Sequence, residues 1–202
     1  MEIFNLTAIR DDRVIFKDVS LCLPEASCLI IRGANGSGKT TFLKILAGLV
    51  APASGSITWG DESTAKDLEG YRTIMSYVGH QSGLKSNMTL REHLHFWGRF
   101  YDGEPLVAAA NFFLKLDKEL DTPCGQLSAG WQRRTALARL IIAQSRLWLL
   151  DEPLSSLDDE SVEIILSLIA TRCDQGGIVL MSYHGALRIP FGQVLQMEDF
   201  QC

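Results

Sequence analysis

Eight residues, "GANGSGKT" at 33–40, fit the pattern G-x-x-x-x-G-K-[ST], and they follow an apolar run and open a helical one. Glycines in such a loop let the backbone curl so that successive N–H groups point inward around phosphate oxygens. The positive end of the following helix dipole adds to that attraction. Lys39 then reaches the β- and γ-phosphates, the Thr40 hydroxyl can ligate Mg²⁺, and Thr41 can donate to an α-phosphate oxygen. Gly33, Ala34, Asn35, Gly36, Ser37, Gly38, Lys39, Thr40 and Thr41 together form the candidate nucleotide cradle.

A second constellation is "LWLLDEP" at 147–153. Four apolar residues predict a buried strand, so Asp151 and Glu152 emerge at its carboxyl end, where open α/β sheets place their ligands. Asp151 there can hold Mg²⁺ through water, and Glu152 can orient or deprotonate an attacking water. Two isolated polar residues gain meaning from position. Gln81 follows a strand ending at Val78, and His184 follows one ending near Ser182, so both reach the same edge and read as sensors of a γ-phosphate. The turn "QLSAGW" sets Ser128 before a run of helix formers, an anion-binding helix start. Arg133, Arg134 and Arg139 on that helix read as a solvated or locally paired face, and His93 and His95 as structural.

These groups need a frame. Short apolar runs alternate with helical patterns, the mark of an α/β chain. Strands are expected over 26–31, 55–59, 74–78, 147–150 and 178–182, and helices over 38–49, 129–143 and 158–172. Crossover helices between them imply a mostly parallel sheet. From 90 to 116 the pattern is helical and aromatic, and 82–127 reads as a helical subdomain inserted into a single domain spanning 1–202. A net charge of −5 gives no broad electrostatic reason to bind nucleic acid. Five dispersed cysteines without a C-x-x-C spacing suit reduced thiols rather than a disulfide framework. No apolar run approaches the ~20 residues that cross a bilayer, so membrane contact is expected only through partners.

The ordered set "GANGSGKTT", Gln81, "LSAGW", "LLDE", "SSLD" and His184 resembles the nucleotide-binding domain of the ABC ATPases over nearly the whole chain. That resemblance implies a P-loop α/β fold with a parallel core sheet, an antiparallel β part and a helical subdomain. It implies ATP hydrolysis with Mg²⁺ held among Thr40, Gln81 and Asp151, with Glu152 as the base and His184 as the switch residue. It also implies a head-to-tail pair of copies with two ATP molecules between them, in which Ser128 and Gly130 bind the γ-phosphate held by the other copy and Asp158 lies at the contact. Within the family, "YVGHQSGLKSNMTLREHLHFW", "LSAGWQRRTALARL" and "GGIVLMSYH" are similar to the ATP-binding subunits of the cytochrome c maturation haem exporter, the CcmA family. This implies integral membrane partners, a peripheral place at the cytoplasmic face of the bacterial inner membrane, and hydrolysis coupled to haem export or to loading or release of a haem chaperone. Leu84, Met88 and Leu90 are then candidate docking residues.

Two positions depart from the family pattern. Arg10 stands near where many of these domains stack an aromatic on adenine, with Phe4 and Phe16 expected in the core instead. Trp131 stands where the signature turn usually has a glutamine, which from the third helical position could bond back to the Ser128 N–H. Tryptophan cannot accept that bond, and its ring is expected to pack on the second copy or stack on nucleotide, leaving an active site with an altered contact between copies. Other readings are the ATPase of another small-substrate exporter, a soluble ABC ATPase clamping nucleic acid or ribosomes, and a P-loop GTPase. "DLEG" at 67–70 matches a D-x-x-G switch, but no N-K-x-D accompanies it.

Overall fold

The computed structural model describes residues 1–184 and 192–201. The chain opens with two long antiparallel strands, β1 (Glu2–Arg10) and β2 (Arg13–Cys22). A two-residue turn joins them in which Asp11 and Asp12 both take positive φ, the twist a tight hairpin requires. Pairing of Ala8 with Phe16 and of Ile9 with Val14 leaves Ile15 as an extra residue, a bulge that re-aims its side chain. Next come β3 (Ser27–Arg32), α1 (Lys39–Leu46), β4 (Ser54–Trp59), the short β5 (Glu62–Ser63), α2 (Leu68–Thr73) and β6 (Met75–Val78). The helical stretch holds α3 (Leu90–Phe100) and α4 (Val107–Phe113), followed by α5 (Ala129–Ala143). Strand β7 (Leu147–Leu150), α6 (Asp159–Asp174), β8 (Ile178–Ser182) and β9 (Gly192–Gln196) complete the order.

Two sheets result. One is antiparallel in the order β2-β1-β4-β5, and the other is parallel in the order β6-β7-β8-β3-β9. The parallel sheet is buried on both faces, which is why its central strands are apolar at nearly every position. Along β3, Cys28 and Ile30 face α3–α6 while Leu29 and Ile31 face α1 and the antiparallel sheet. Trp148 and Leu150 against Leu147 and Leu149 on β7, and Val179 and Met181 against Ile178 and Leu180 on β8, divide in the same way.

The observed elements differ from the expected ones at three places. Strands β1 and β2 are half solvated and carry polar residues on the outer face, so they lack the continuous apolar run that exposes β7 and β8 to reading. The segment 55–59 pairs antiparallel with β1 rather than joining the parallel sheet. The helical stretch is broken after Phe100, with a 3₁₀ turn at Glu104–Leu106 before α4. Its start is fixed by a capping box, Thr89 Oγ1 accepting the Glu92 N–H and the Glu92 carboxylate accepting the Thr89 N–H. His93 is buried, accepts the Lys85 N–H at 2.8 Å, and packs on Trp97, the structural role expected of it. The "DLEG" match is also local structure: Asp67 N-caps α2 by accepting the Gly70 N–H. Cys28, Cys124 and Cys173 are buried free thiols, and Cys202 lies outside the described residues. Among the described residues no helix is long and apolar enough to cross a membrane.

Candidate functional site

The loop at 33–40 runs from the carboxyl end of β3 into α1, with Ala34, Asn35, Gly36 and Thr40 exposed and Ser37 and Lys39 buried. Its glycines are needed where neighbours crowd it. A Cβ on Gly38, which has φ +100°, would stand 2.7 Å from Cγ2 of the bulged Ile15, and one on Gly33 would run into Ser37 Oγ. The Lys39 ammonium folds over the loop and donates to the Gly33 and Ala34 carbonyls at 2.9 and 2.8 Å. Burial lowers its pKa, against the pull of the Glu152, Glu198 and Asp151 carboxylates. Thr41 lies half-buried in the first turn of α1.

At the neighbouring strand end, Thr40 Oγ1 donates to Asp151 Oδ2 at 2.8 Å. The other carboxylate oxygen accepts the Ser182 hydroxyl at 2.7 Å, and Ser182 Oγ in turn accepts the Glu152 N–H at 2.8 Å. Asp151 and Ser182 are fully buried. Glu152 itself has φ +51°, a left-handed backbone that a non-glycine residue adopts only where its surroundings impose it. This turns its carboxylate outward, between His184 Nε2 and His80 Nδ1, each 3.6 Å from a different oxygen. A cleft of about 500 Å³ opens beside it, lined by Thr40, Asp151, Gln81, His80 and Lys44. Two hard oxygen donors that converge on one point of a phosphate-sized cleft fit Mg²⁺, with the exposed Gln81 at the rim.

The start of α5 is separate. Ser128 N-caps it with its Oγ accepting the Trp131 N–H at a long 3.4 Å, and it is exposed. Gly130 lies against the Ser156 carbonyl, where a Cβ would come within 3.1 Å. Asp158 N-caps α6 by accepting the Ser161 N–H at 2.8 Å, and hydrogen bonds with Ser161 hold its carboxyl below the usual range. Among the described residues, neither Ser128 nor Gly130 shares a hydrogen bond or ion pair with the Lys39 loop, the acid pair or His184.

Several expectations are corrected here. Arg133 is no part of a solvated face. It is buried, and its guanidinium donates to Gly79 O at 2.7 Å and to Asp151 O. Arg139 likewise turns in to Tyr77 O, while Arg134 stacks over the Trp131 ring at 4.0 Å. Trp131 packs on the core of its own chain, and the neighbouring Gln132 secures the turn by donating to the Cys124 and Leu127 carbonyls. Leu90 is fully buried core and offers nothing to a partner, and Leu84 packs partly on that core. Met88 remains at the surface of a groove of about 830 Å³ with Phe96 and Phe100. Phe16 is buried as expected, but Phe4 is 65% exposed. Arg10 is paired with Asp11 at the solvent-facing hairpin tip.

Four contributors lie outside the site residues that the sequence singles out: Ser182, His80, Ile15 and Glu198. The Glu198 carboxylate accepts the Ala34 N–H, which lowers its pKa. Position relative to the strand ends could have flagged Ser182 and His80, because each lies within two residues of a group already singled out. Ile15 and Glu198 carry no comparable signal.

The sequence profile of the ABC transporter family matches residues 16–155. A cytochrome c biogenesis ATP-binding export protein CcmA from Wolbachia pipientis wMel is 38% identical over 186 residues, covering 92% of this chain and 90% of the relative. The protein of the same description from Aliivibrio fischeri is 39% identical over 200 residues and covers 98% of each. A solved ATP-binding cassette, dimeric in a post-hydrolysis state with ADP and Pi, superposes with a TM-score of 0.82 at 25% identity, covering 96% of this chain and 93% of that one. A putative ABC transporter ATP-binding protein from Pyrococcus furiosus has a TM-score of 0.86 at 20% identity over 100% of this chain and 98% of its own, a likeness of fold.

Proposed function

This chain belongs to the ABC transporter family of ATP-binding subunits, in its cytochrome c biogenesis branch, and on that premise we propose that it hydrolyses ATP to drive haem export, or loading or release of a haem chaperone, in cytochrome c maturation. The observation that carries the site assignment is the meeting of Thr40 Oγ1 and Asp151 Oδ2 at 2.8 Å beside the Lys39 loop. Thr40 and Asp151, with Gln81, would hold Mg²⁺ there, and the ion would supply neutralisation of the phosphate charge.

The chain's own groups do the rest. Lys39 exchanges two carbonyls of its loop for phosphate oxygens, a stronger charge-assisted contact. Glu152 takes a proton from a water as that water's oxygen bonds to the γ-phosphorus and the bond to the ADP oxygen breaks. Its outward, left-handed backbone is held from beneath by Ser182. His184 steadies one carboxylate oxygen and faces the γ-phosphate. The exposed Ser128 and the adjacent Gly130 bind the γ-phosphate held by a second copy in a head-to-tail pair, with Asp158 at the contact. Integral membrane subunits dock near Met88, Phe96 and Phe100, within the helical subdomain of 82–127, and keep the chain at the cytoplasmic face of the bacterial inner membrane.

Co-purification tests this reading. The native chain is expected to travel with small hydrophobic membrane subunits and to turn over ATP in that complex. A chain recovered wholly without them, with ATPase stimulated by nucleic acid, would overturn it.

A further inference from the structure

Arg133 is a buried cation that the hydrolytic scheme above does not use. Its guanidinium has no carboxylate in ion-pairing contact among the described residues and is satisfied by two main-chain carbonyls, with its Nε left without a partner. Burying a guanidinium in this way is costly, and a pair of backbone carbonyls is an incomplete return for it. The two carbonyls belong to different strand ends. One is Gly79 O, just past β6 and two residues before Gln81, and the other is Asp151 O, the residue that precedes the left-handed Glu152. The guanidinium therefore ties together the two backbone segments that carry the cleft's polar groups.

Arg133 also rides on α5, about 7.5 Å along the axis from Ser128 at a helical rise of ~1.5 Å per residue. A helix is stiff over that distance, so a displacement of its first turn reaches the Arg133 backbone, and the two carbonyl bonds hold the side chain that carries it on to the guanidinium. Two features keep the first turn and the arginine in one body. Gln132 fastens the turn to the Cys124 and Leu127 carbonyls, and Thr135 bonds back to Trp131 O within the helix. Arg139, six residues on, holds Tyr77 O on the same strand, so α5 grips the end of β6 at two places.

Resting on the assignment of Glu152 and Ser128 above, we propose that Arg133 is a positioning residue that carries the seating of its own Ser128 turn on the second copy's nucleotide to Glu152 and Gln81 of its own site. Seating of α5 moves the guanidinium, the guanidinium moves the Gly79 and Asp151 carbonyls, and the acid and the glutamine beside them are brought into register. Each copy then commits its own acid only when its signature turn is engaged, which couples the two nucleotide sites. Coupling of this kind is reciprocal and is measurable as a change at one site caused by the other.

Two comparisons separate the strut from a scaffold. In a pair of copies with one Glu152→Gln, only one site hydrolyses, and it combines the live Glu152 of one copy with Ser128 of the other. The first comparison is the copy in which Arg133 acts. The second is whether Ser128→Ala in the copy holding the live Glu152, whose own Ser128 serves the dead site, slows the live site only while Arg133 is present. No such slowing would leave Arg133 a static brace and overturn the proposal. The experiment uses membrane complexes assembled from two differently tagged copies, with Arg133→Met placed in either one, and reads turnover together with ATP affinity. Turnover is expected to fall at least about tenfold further with Arg133→Met in the copy holding the live Glu152 than in the copy supplying Ser128, within the usual range of coupling between sites. ATP affinity is expected to change less than about twofold in both, and Arg133→Lys, which can hold one carbonyl at a time, should recover part of the loss.

Equal losses from the two placements, or a greater loss in the copy supplying Ser128, would overturn the strut, since either would mean that Arg133 only supports α5. A turnover insensitive to Arg133→Met overturns it as well, and should that variant not assemble, Arg133→Gln in the same two placements gives the same comparison. Full activity of the complex with Glu152→Gln in both copies would instead remove the base assignment, and the strut with it.

Discussion

At the carboxyl edge of the parallel sheet, Thr40, Asp151, Ser182 and the Glu152 amide are joined by hydrogen bonds of 2.8, 2.7 and 2.8 Å around a buried carboxylate. At the start of α5, Ser128 is exposed and accepts one long bond of 3.4 Å. The first region is preorganised within the chain: these bonds hold the Thr40 hydroxyl, the Asp151 carboxylate and the Glu152 backbone in place, with little reorganisation left among them. The second has an anion-binding helix start but no phosphate cradle of its own chain in hydrogen-bond contact among the described residues. A site divided in this way is complete in one half and open in the other, and the open half is where a second copy has something to add. The contrast also bears on Trp131: a substitution among the interlocked polar groups is expected to cost stability and turnover, whereas Ser128 stays exposed whatever residue packs behind it.

The comparison can be broken most forcefully at Lys39. Lys39→Ala is expected to leave no detectable ATP hydrolysis in the assembled complex, and retained turnover there would remove the loop from the site. Glu152→Gln comes next, with a loss of about 10²–10⁴-fold in turnover, the usual range for a general base, while ATP binding is kept. Size-exclusion in the presence of ATP should then show an accumulated pair of copies, because binding proceeds and the step that opens the pair does not. Ser182→Ala tests whether preorganisation matters as distinct from the reacting groups. It strands Asp151 Oδ1 and the Glu152 N–H in the interior, for a stability loss of about 1–3 kcal/mol by denaturant titration. Turnover should fall roughly tenfold, since 1.4 kcal/mol at the transition state suffices for that.

The smallest effect is expected in the open half. Trp131→Gln gives up the Arg134 stack, worth about 0.5–1 kcal/mol at an exposed site, and gains a capping bond of similar size. The capping bond offsets the stack but not the indole's packing on the core, so the melting temperature should fall by a few degrees while turnover stays close to that of the parent chain. A large fall in ATP-driven pairing beyond what that loss of stability explains would show instead that the indole touches the second copy.

Much of the cradle was legible because its chemistry is contiguous. A phosphate loop needs successive backbone N–H groups and a lysine at fixed spacing, and an acid pair at a strand end follows four apolar residues directly. The burial of β3, β7 and β8 was likewise visible as unbroken apolar runs, whereas their division between two cores was not. Hidden from the sequence were the groups whose partners lie far along the chain. Ser182 meets Asp151 across 31 positions, Arg133 meets Gly79 across 54, and Glu198 meets Ala34 across 164. In sequence each is an ordinary polar residue, and Arg133 even reads as part of a charged face. Leu90 misleads in the opposite sense, as an apolar residue beside a groove that turns out to be core.

The sequence by itself therefore determined the nucleotide loop, the acid pair and the parallel sheet that presents them, because local backbone geometry and side-chain periodicity set these without reference to distant residues. Only the tertiary structure decided which polar groups are locked and which are left open. That outcome depends on which buried donors and acceptors find partners once strands and helices are packed, and a buried polar group must find one from wherever in the chain the fold delivers it.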